Sequence, residues 1–179
     1  MNRAQFLISS LVLLPLSSSL EAAGTVQGQL GVQLVIGAGC TVNNGSNNGS
    51  ANTFGSIAFG TYPSLNSIIE AQSVGSSAGS SFGVTCNIGT NYSVALDSGL
   101  HATGNQRNMS AGATDVIAYN LYKEAGRTTL WGNGSNGGTA LAGTGTGANQ
   151  ELVVYGRVPP QTTPATGTYT DTVQVTITW

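Results

Sequence analysis

The sequence predicts an all-β fold, a sandwich of packed sheets, and three observations support this. Apolar residues alternate with polar ones over short runs, as they do in a strand whose successive side chains point to opposite faces. These runs are rich in β-branched and aromatic residues and are separated by Gly, Asn and Ser, in a chain with 26 glycines. Helical periodicity is nearly absent. Short strands separated by frequent turn residues are typical of a β-sandwich.

The first 22 residues have the layout of a secretory signal peptide. Arg3 supplies a short positive segment, residues 4–16 form an apolar core, and residues 17–22 are mostly small or polar. The apolar core is shorter than the roughly 20 residues that span a bilayer. We therefore expect export, with cleavage after Ala22.

An alternating segment follows the signal peptide. Its even positions form an apolar row that one glycine interrupts: Val26, Gly28, Leu30, Val32, Leu34 and Ile36. The odd positions between them are mostly polar, so the segment predicts a strand with one apolar face. Residues 37–39, Gly-Ala-Gly, are interpreted as a hinge. Because a hinged apolar strand can pair with another sheet, we expect this segment to be lent to a neighbouring molecule.

The rest of the chain contains further strand patterns. Strands are predicted at residues 54–62, 80–87, 92–96, 114–123, 128–131, 150–158 and 169–179. The side chains expected to point inward in the second and third of these are Phe82, Val84, Cys86, Tyr92, Val94 and Leu96. Residues 43–52 and 132–149, which are rich in Gly, Asn, Ser and Thr, are predicted loops. The last strand pattern continues to Trp179, which suggests a sheet that lacks a strand.

The composition excludes one class of partner. Charged residues make up 7% of the chain and the formal net charge is −2, whereas about 25% is typical of soluble domains. Lys and Arg together number five, and one of them, Arg3, lies in the signal peptide. Such few and scattered cations cannot follow a phosphate backbone, so we expect no nucleic-acid partner.

The two cysteines, Cys40 and Cys86, predict a disulfide. An even pair in an exported protein most often forms a structural bridge. A metal site would need more ligands, and His101 is the only histidine. We expect no metal and no cofactor.

No residue pattern indicates an enzyme. His101 follows a Gly-Leu pair in a predicted polar loop, where a lone histidine is usually solvated. Asp97, Asp115 and Asp171 show no spacing that would pair them with it or with a nucleophile, and no Gly-x-Ser-x-Gly turn is present. We expect a protein without catalytic residues.

The aromatic and basic residues leave alternatives open. Four aromatic residues are interpreted as core or sheet-face residues rather than a sugar-binding platform: Tyr119, Tyr122, Trp131 and Tyr155. Arg107 and Arg157 form either a solvated face, with local salt bridges to Asp97 or Asp115, or a contact between successive subunits.

Several different short motifs occur one after another along the chain. In order, they are Gly39-Cys40-Thr41-Val42, Phe59-Gly60-Thr61-Tyr62, Val84-Thr85-Cys86, Val94-Ala95-Leu96-Asp97-Ser98-Gly99, Arg107-Asn108-Met109, Ile117-Ala118-Tyr119-Asn120-Leu121-Tyr122, Trp131-Gly132, Val154-Tyr155-Gly156-Arg157-Val158 and Gly167-Thr168-Tyr169-Thr170-Asp171-Thr172-Val173. Through their order and spacing, the chain resembles the spore coat U domain family, which includes subunits of archaic chaperone–usher pili such as the Csu type. The resemblance covers essentially the whole mature chain.

The resemblance implies an incomplete immunoglobulin-like β-sandwich that is completed by donor-strand complementation. It implies a signal peptide at residues 1–22, a donor strand at 23–36 and a pilin domain at 37–179. A periplasmic chaperone would fill the gap first, and the donor strand of the next identical or homologous subunit would replace it at an outer-membrane usher. The implied function is a structural subunit of a surface pilus that polymerises head to tail and supports adhesion and biofilm formation.

Two points stay open at the level of sequence. Gly28 either meets a shallow part of a groove or is the small residue needed where one donor strand displaces another. The segment at 26–36 could also fold back on its own sheet, which would give a self-complemented secreted coat protein or a carbohydrate- or surface-binding protein. An adhesin at the fibre tip is less favoured, because in this family it resembles a two-domain chain.

Overall fold

The computed structural model describes residue 25 and residues 27–43, 54–74, 82–112 and 115–179. The chain separates into two compact units, Met1–Val35 and Ile36–Trp179. The signal peptide predicted at the N-terminus and Val26 of the apolar row lie outside the described residues. No helix among the described residues is long and apolar enough to cross a membrane.

The described residues form ten strands and no helix, which confirms the all-β prediction. The strands are β1 (Cys40–Asn43), β2 (Ile69–Gln72), β3 (Phe82–Cys86), β4 (Asn91–Leu96), β5 (Arg107–Ser110), β6 (Val116–Tyr122), β7 (Leu141–Thr144), β8 (Asn149–Leu152), β9 (Tyr155–Val158) and β10 (Val175–Thr178). All ten lie in the second unit.

The strands form three open antiparallel sheets. Their orders are β1-β3-β8, β10-β4-β7 and β2-β9-β6-β5. Among the described strands β10 pairs with β4 alone, so it is an edge strand of its sheet. Open sheets with a terminal edge strand are what an incomplete immunoglobulin-like sandwich requires.

One hydrophobic core joins the three sheets. The six inward-pointing side chains predicted in β3 and β4 are all buried, with Val84 and Val94 fully inaccessible. Trp131 is also fully buried, and its indole Nε1–H donates to the Val94 carbonyl at 2.8 Å. Tyr119 and Tyr122 are buried as well, and Tyr155 is half-buried. These aromatic residues belong to the packing of the domain, in agreement with the sequence prediction.

The strand predicted at residues 54–62 is wrong. Only Ser56 pairs there, in a single bridge to Val74. Phe54, Ile57 and Phe59 pack against the core without joining a sheet. The apolar pattern therefore reports burial of alternate side chains and not a hydrogen-bonded ladder.

The loop predicted at residues 132–149 is wrong in part, because it contains β7 and the first residue of β8. β7 reads Leu-Ala-Gly-Thr, a composition with weak strand propensity, and is held by its pairing with β4. Its glycine is required by packing: a Cβ at Gly143 would collide with the Tyr92 ring on the facing strand. Pairing with β4 and packing against Tyr92 therefore determine that this segment is a strand, which its local sequence pattern does not predict.

The strands near the C-terminus are shorter than predicted. The run at 150–158 is two strands, β8 and β9, which belong to different sheets. Of the run at 169–179, only β10 joins a ladder. The predicted strand at 114–123 is confirmed as β6, and Leu130 and Trp131 pair beside it as expected. β1, β2 and β5 were not predicted; their pairing with β3, β9 and β6 defines them as strands.

Candidate functional site: an open apolar groove

The domain carries an open groove of about 590 Å³ that is lined mainly by apolar side chains. Two stretches outside the ladders contribute much of the lining, residues 54–57 with Phe59 and residues 169–173. Buried core residues supply the rest: Phe82, Leu96, Tyr119, Leu121 and Val154, together with half-buried Met109 and Val175. The accessible apolar surface of the groove therefore comes from side chains that are only partly buried against the core: Phe54, Ile57, Phe59, Met109, Val173 and Val175.

The backbone along the groove is unpaired. Within the described part of the chain, residues 57–59 and 171–173 make no backbone hydrogen bond. Val173, Val175 and Ile177 are only partly buried, although they pack against the core. Unpaired N–H and C=O groups beside apolar side chains are a template for one more strand.

The predicted donor residues are highly exposed wherever they are described. The exposed fractions are 89% for Leu30, 89% for Val32, 85% for Leu34 and 76% for Ile36. Residues 27–39 belong to no strand. Large apolar side chains exposed in a row mark an interaction surface in a soluble protein. A Cβ at Gly28 would meet nothing within 4 Å, so both interpretations of this glycine stay predictions.

The predicted hinge at residues 37–39 is tethered at both ends. The Asn87 backbone N–H donates to the Gly39 carbonyl at 3.0 Å, and the Asn87 side-chain Nδ2 donates to the Gly37 carbonyl at 3.3 Å. Immediately afterwards, Cys40 and Cys86 are joined by a disulfide, in agreement with the sequence prediction. The chain is therefore anchored to its own domain from Gly37 onward.

A buried carboxylate fixes one end of the groove. The Asp171 side chain is 2% exposed, accepts three hydrogen bonds and also contacts the His101 ring. The Tyr119 hydroxyl donates to Oδ2 at 2.6 Å, and the backbone N–H groups of Leu100 and His101 donate to Oδ1 at 2.9 and 3.3 Å. His101 Nδ1 lies 3.1 Å from the same oxygen. This pairing corrects the sequence analysis, which found no partner for His101; 70 residues separate the two side chains.

Tyr119 is held in its neutral form at this site. Burial raises the pKa of its hydroxyl well above the ordinary value of 10.0, and the hydrogen bond to Asp171 raises it further. A neutral hydroxyl can donate to the carboxylate, whereas a phenolate would repel it. The network therefore depends on the protonated tyrosine.

The arginines are placed differently from the salt bridges considered above. Arg157 pairs with Glu70 at 2.7 Å, not with Asp97 or Asp115. Arg107 is 4% exposed, and its Nε and Nη2 donate to the carbonyl oxygen of Asp97 at 2.8 and 2.6 Å. Burial lowers the pKa of Arg107. No carboxylate contacts this guanidinium among the described residues.

These features describe an apolar groove bordered by unpaired backbone. Two unpaired backbone stretches lie beside partly buried apolar side chains, and a buried network fixes Asp171 within one of these stretches. Among the residues that the structure covers, no group of three or more His, Cys, Asp or Glu could hold a metal ion. Sequence analysis predicted a donor segment and a sheet that lacks a strand, but it did not identify the residues that line the groove, such as Phe54, Ile57 and Phe59.

Sequence comparisons with known proteins indicate one family. The family model for the Spore Coat Protein U domain matches residues 26–176. Protein U of Myxococcus xanthus is 33% identical over 166 residues, which cover 88% of this chain and 87% of that protein.

A structural similarity was found to a chain in the CsuC–CsuE chaperone–tip adhesion subunit pre-assembly complex from archaic chaperone–usher Csu pili of Acinetobacter baumannii. The identity is 23% and the TM-score is 0.47, and the match covers 80% of this chain. This chain spans 40% of the length of that structure. The match of the family model over most of the sequence, together with the likeness to protein U, shows that the chain belongs to the Spore Coat Protein U domain family.

Proposed function

We propose that this protein is a structural subunit of a surface pilus of the archaic chaperone–usher type, which polymerises by donor-strand exchange. The observation that carries the proposal is the open groove, in which partly buried apolar side chains lie beside backbone groups that lack partners. The same chain contains an exposed apolar row at residues 28–36. In this proposal, the groove of one subunit accepts the apolar strand of the next, and the two surfaces form the contact between them.

Burial of apolar side chains is the main favourable term for insertion of the donor strand, and loss of backbone entropy opposes it. Burial of Leu30, Val32, Leu34 and Ile36 contributes about 1.5–3 kcal/mol each, a gross gain on the order of 10 kcal/mol. Ordering the strand costs about 1–2 kcal/mol per residue in backbone entropy. Backbone hydrogen bonds to residues 57–59 or 171–173 would offset part of that cost. The apolar side chains of the row thus supply the favourable free energy of insertion. Gly28 has no side chain to bury and adds nothing to this term.

The contact propagates because its two surfaces differ. A donor strand and an acceptor groove form a heterologous interface, and such an interface generates an open filament when it does not close into a ring. The partners in this proposal are therefore identical or homologous subunits joined head to tail. Adhesion and biofilm formation follow as functions of the finished fibre.

Export requires a temporary occupant of the groove. Accessible apolar side chains and unpaired backbone promote aggregation before assembly. In the proposed route, a signal peptide directs the chain to the periplasm, and a periplasmic chaperone covers the groove. An outer-membrane usher then exchanges the chaperone for the next subunit, and the fibre emerges at the cell surface.

The proposal is tested by two variants of the full-length protein that differ by one position. Val32→Asp places a charge on the apolar face of the donor segment, whereas Gln33→Asp places the same charge on the opposite face. We expect Val32→Asp to abolish polymers in size-exclusion chromatography and electron microscopy, because a buried unpaired charge is costly. Gln33→Asp should polymerise like the parent chain.

Other outcomes would contradict the proposal. If the parent chain is a monomer and Val32→Asp lowers its melting temperature, the segment completes its own sheet, as in a self-complemented coat protein. If Val32→Asp polymerises normally, the apolar row is not the donor.

A further inference from the structure

The hinge and the groove lie at opposite ends of β3 and β4. At one end, the turn between these strands holds the hinge, because the Asn87 backbone N–H and side chain donate to the carbonyls of Gly39 and Gly37. At the other end, Phe82 begins β3 and Leu96 ends β4, and both line the groove. Strands of this length separate the two ends by roughly 15 Å. The donor segment therefore leaves the domain at the end away from the groove.

A highly exposed apolar side chain lies at each of these ends. Ile88 follows Asn87 in the turn that holds the hinge, and it is 83% exposed. Leu100 is 74% exposed, and its backbone N–H donates at 2.9 Å to Asp171, which lines the groove. Ile88 is thus fixed beside the root of the donor segment, and Leu100 is fixed at the border of the groove. The fold of a single chain leaves both side chains largely in solvent.

The direction of strand insertion decides which ends of two subunits meet. β10 runs antiparallel to β4, from Val175 opposite Leu96 back towards the turn that holds the hinge. A donor strand antiparallel to residues 171–175 would place its Ile36 end at the Asp171 side of the groove. A parallel strand would bring two hinge ends together, where the acceptor's own donor segment also leaves. An open fibre, which the proposed function requires, therefore favours antiparallel insertion.

We propose that Ile88 of one subunit packs against Leu100 of the next, in a second contact that accompanies the donor strand; this inference rests on the proposed function. Gly37 follows Ile36 directly and is bonded to the turn that carries Ile88. This turn must therefore lie close to the point where the donor strand leaves the groove. Leu100 borders the groove at that point through its bond to Asp171. Burial of the two apolar side chains against each other is favourable, so the partner of each end is a second copy of this chain.

The contact gives the joint between subunits a second point of attachment. Two domains joined by one inserted strand can rotate about that strand. A contact to one side of the strand opposes this rotation and slows separation of the subunits. Because the donor strand itself is unaffected, loss of the contact should weaken the fibre without preventing its assembly.

The first test is photo-crosslinking in fibres of the full-length protein. Benzoylphenylalanine, a photoreactive residue, replaces Ile88, the fibres are irradiated, and linked peptides are identified by mass spectrometry. We expect links to the peptide that contains Leu100 of a second copy, since the two ends of one domain lie roughly 15 Å apart. The control position is Ile68, which is also exposed but precedes β2 in another sheet. Benzoylphenylalanine there should not give this link.

The second test measures how fast the fibres dissociate in denaturant. Ile88→Asp should still polymerise, but its fibres should dissociate at least about tenfold faster, because burial of one such side chain contributes at least that factor. Addition of Leu100→Lys to Ile88→Asp should restore most of the loss, because the two positions would then carry opposite charges. Ile68→Asp makes the same substitution at the control position and should leave the rate unchanged.

The outcomes separate this contact from the polymer itself. Fibres in which position 88 gives no link to the Leu100 peptide would overturn the contact and leave donor-strand exchange standing. The same holds if Ile88→Asp dissociates no faster than Ile68→Asp, or if Leu100→Lys does not slow the dissociation of Ile88→Asp. A parent chain that forms no fibres would overturn both proposals, because the contact needs successive subunits.

Discussion

At the scale of single residues, the Asp171 side chain connects two parts of the domain. Its buried carboxylate joins β6, through Tyr119, to the loop that contains Leu100 and His101. We expect Asp171→Asn to lower the free energy of unfolding by roughly 1–3 kcal/mol, because an amide cannot accept all the bonds that the carboxylate accepts. Asp115→Asn, at an exposed site, should change it little. Denaturant unfolding compares the two, and equal effects would remove the special role of Asp171.

The same network predicts the response to alkaline pH. Burial and the bond to Asp171 raise the pKa of Tyr119 above its ordinary value of 10.0. Above pH 10 the unfolded chain loses this proton while the folded chain keeps it, so stability is present below pH 10 and falls as pH rises further. We expect Tyr119→Phe to reduce this fall in thermal melts between neutral pH and pH 11. Part of the fall should remain, since burial also raises the pKa of Tyr92.

Residue-scale sequence reasoning worked where the signal was local. Alternation placed Val84 and Val94 in the core, and an even cysteine count predicted the disulfide. It could not find the pairing of His101 with Asp171, because nothing in the sequence near either residue reports a partner 70 positions away. Arg107 was singled out for its rarity, but its contacts are backbone carbonyls, which carry no sequence signal.

At the scale of elements, ladder pairing limited what could be predicted. Residues 54–59 and β7 show the two kinds of error: an alternating run that joins no ladder, and a Gly- and Thr-containing run that does. Alternation reports which side chains are buried, whereas a ladder also needs a partner strand in register. The groove lies where such a partner is missing, so an apparently failed strand prediction marks the candidate site.

The disulfide links two neighbouring strands covalently. It joins β1 to β3 at paired positions, Cys40 opposite Cys86, and closes a loop with a sequence separation of 46. We expect Cys40→Ser and Cys86→Ser each to lower the free energy of unfolding by about 4 kcal/mol in the chain-entropy account. The double variant should match either single variant, because one bond is lost in all three. Additive losses would show that the cysteines stabilise the domain separately.

At the scale of the whole molecule, we expect the thermal stability of the domain to depend on the concentration of a peptide that fills its groove. Full-length Val32→Asp cannot donate its own segment but keeps the groove. A synthetic peptide of residues 23–36 should therefore raise its melting temperature, with a gain that grows as the logarithm of peptide concentration and reaches about 2.7 kcal/mol at 100 times the dissociation constant. The same peptide carrying Asp at position 30 should have no effect.

The melting temperature rises because the peptide binds the folded state and not the unfolded state. The rise therefore distinguishes a sheet that lacks a strand from a sheet that is complete but has a flexible surface. A peptide that raises the melting temperature only when its apolar row is intact would show that the groove takes a strand in register. If the variant melts at one temperature at every peptide concentration, the sheet is already complete. The molecule would then be a closed domain, and its exposed row at residues 28–36 would need a partner of another kind.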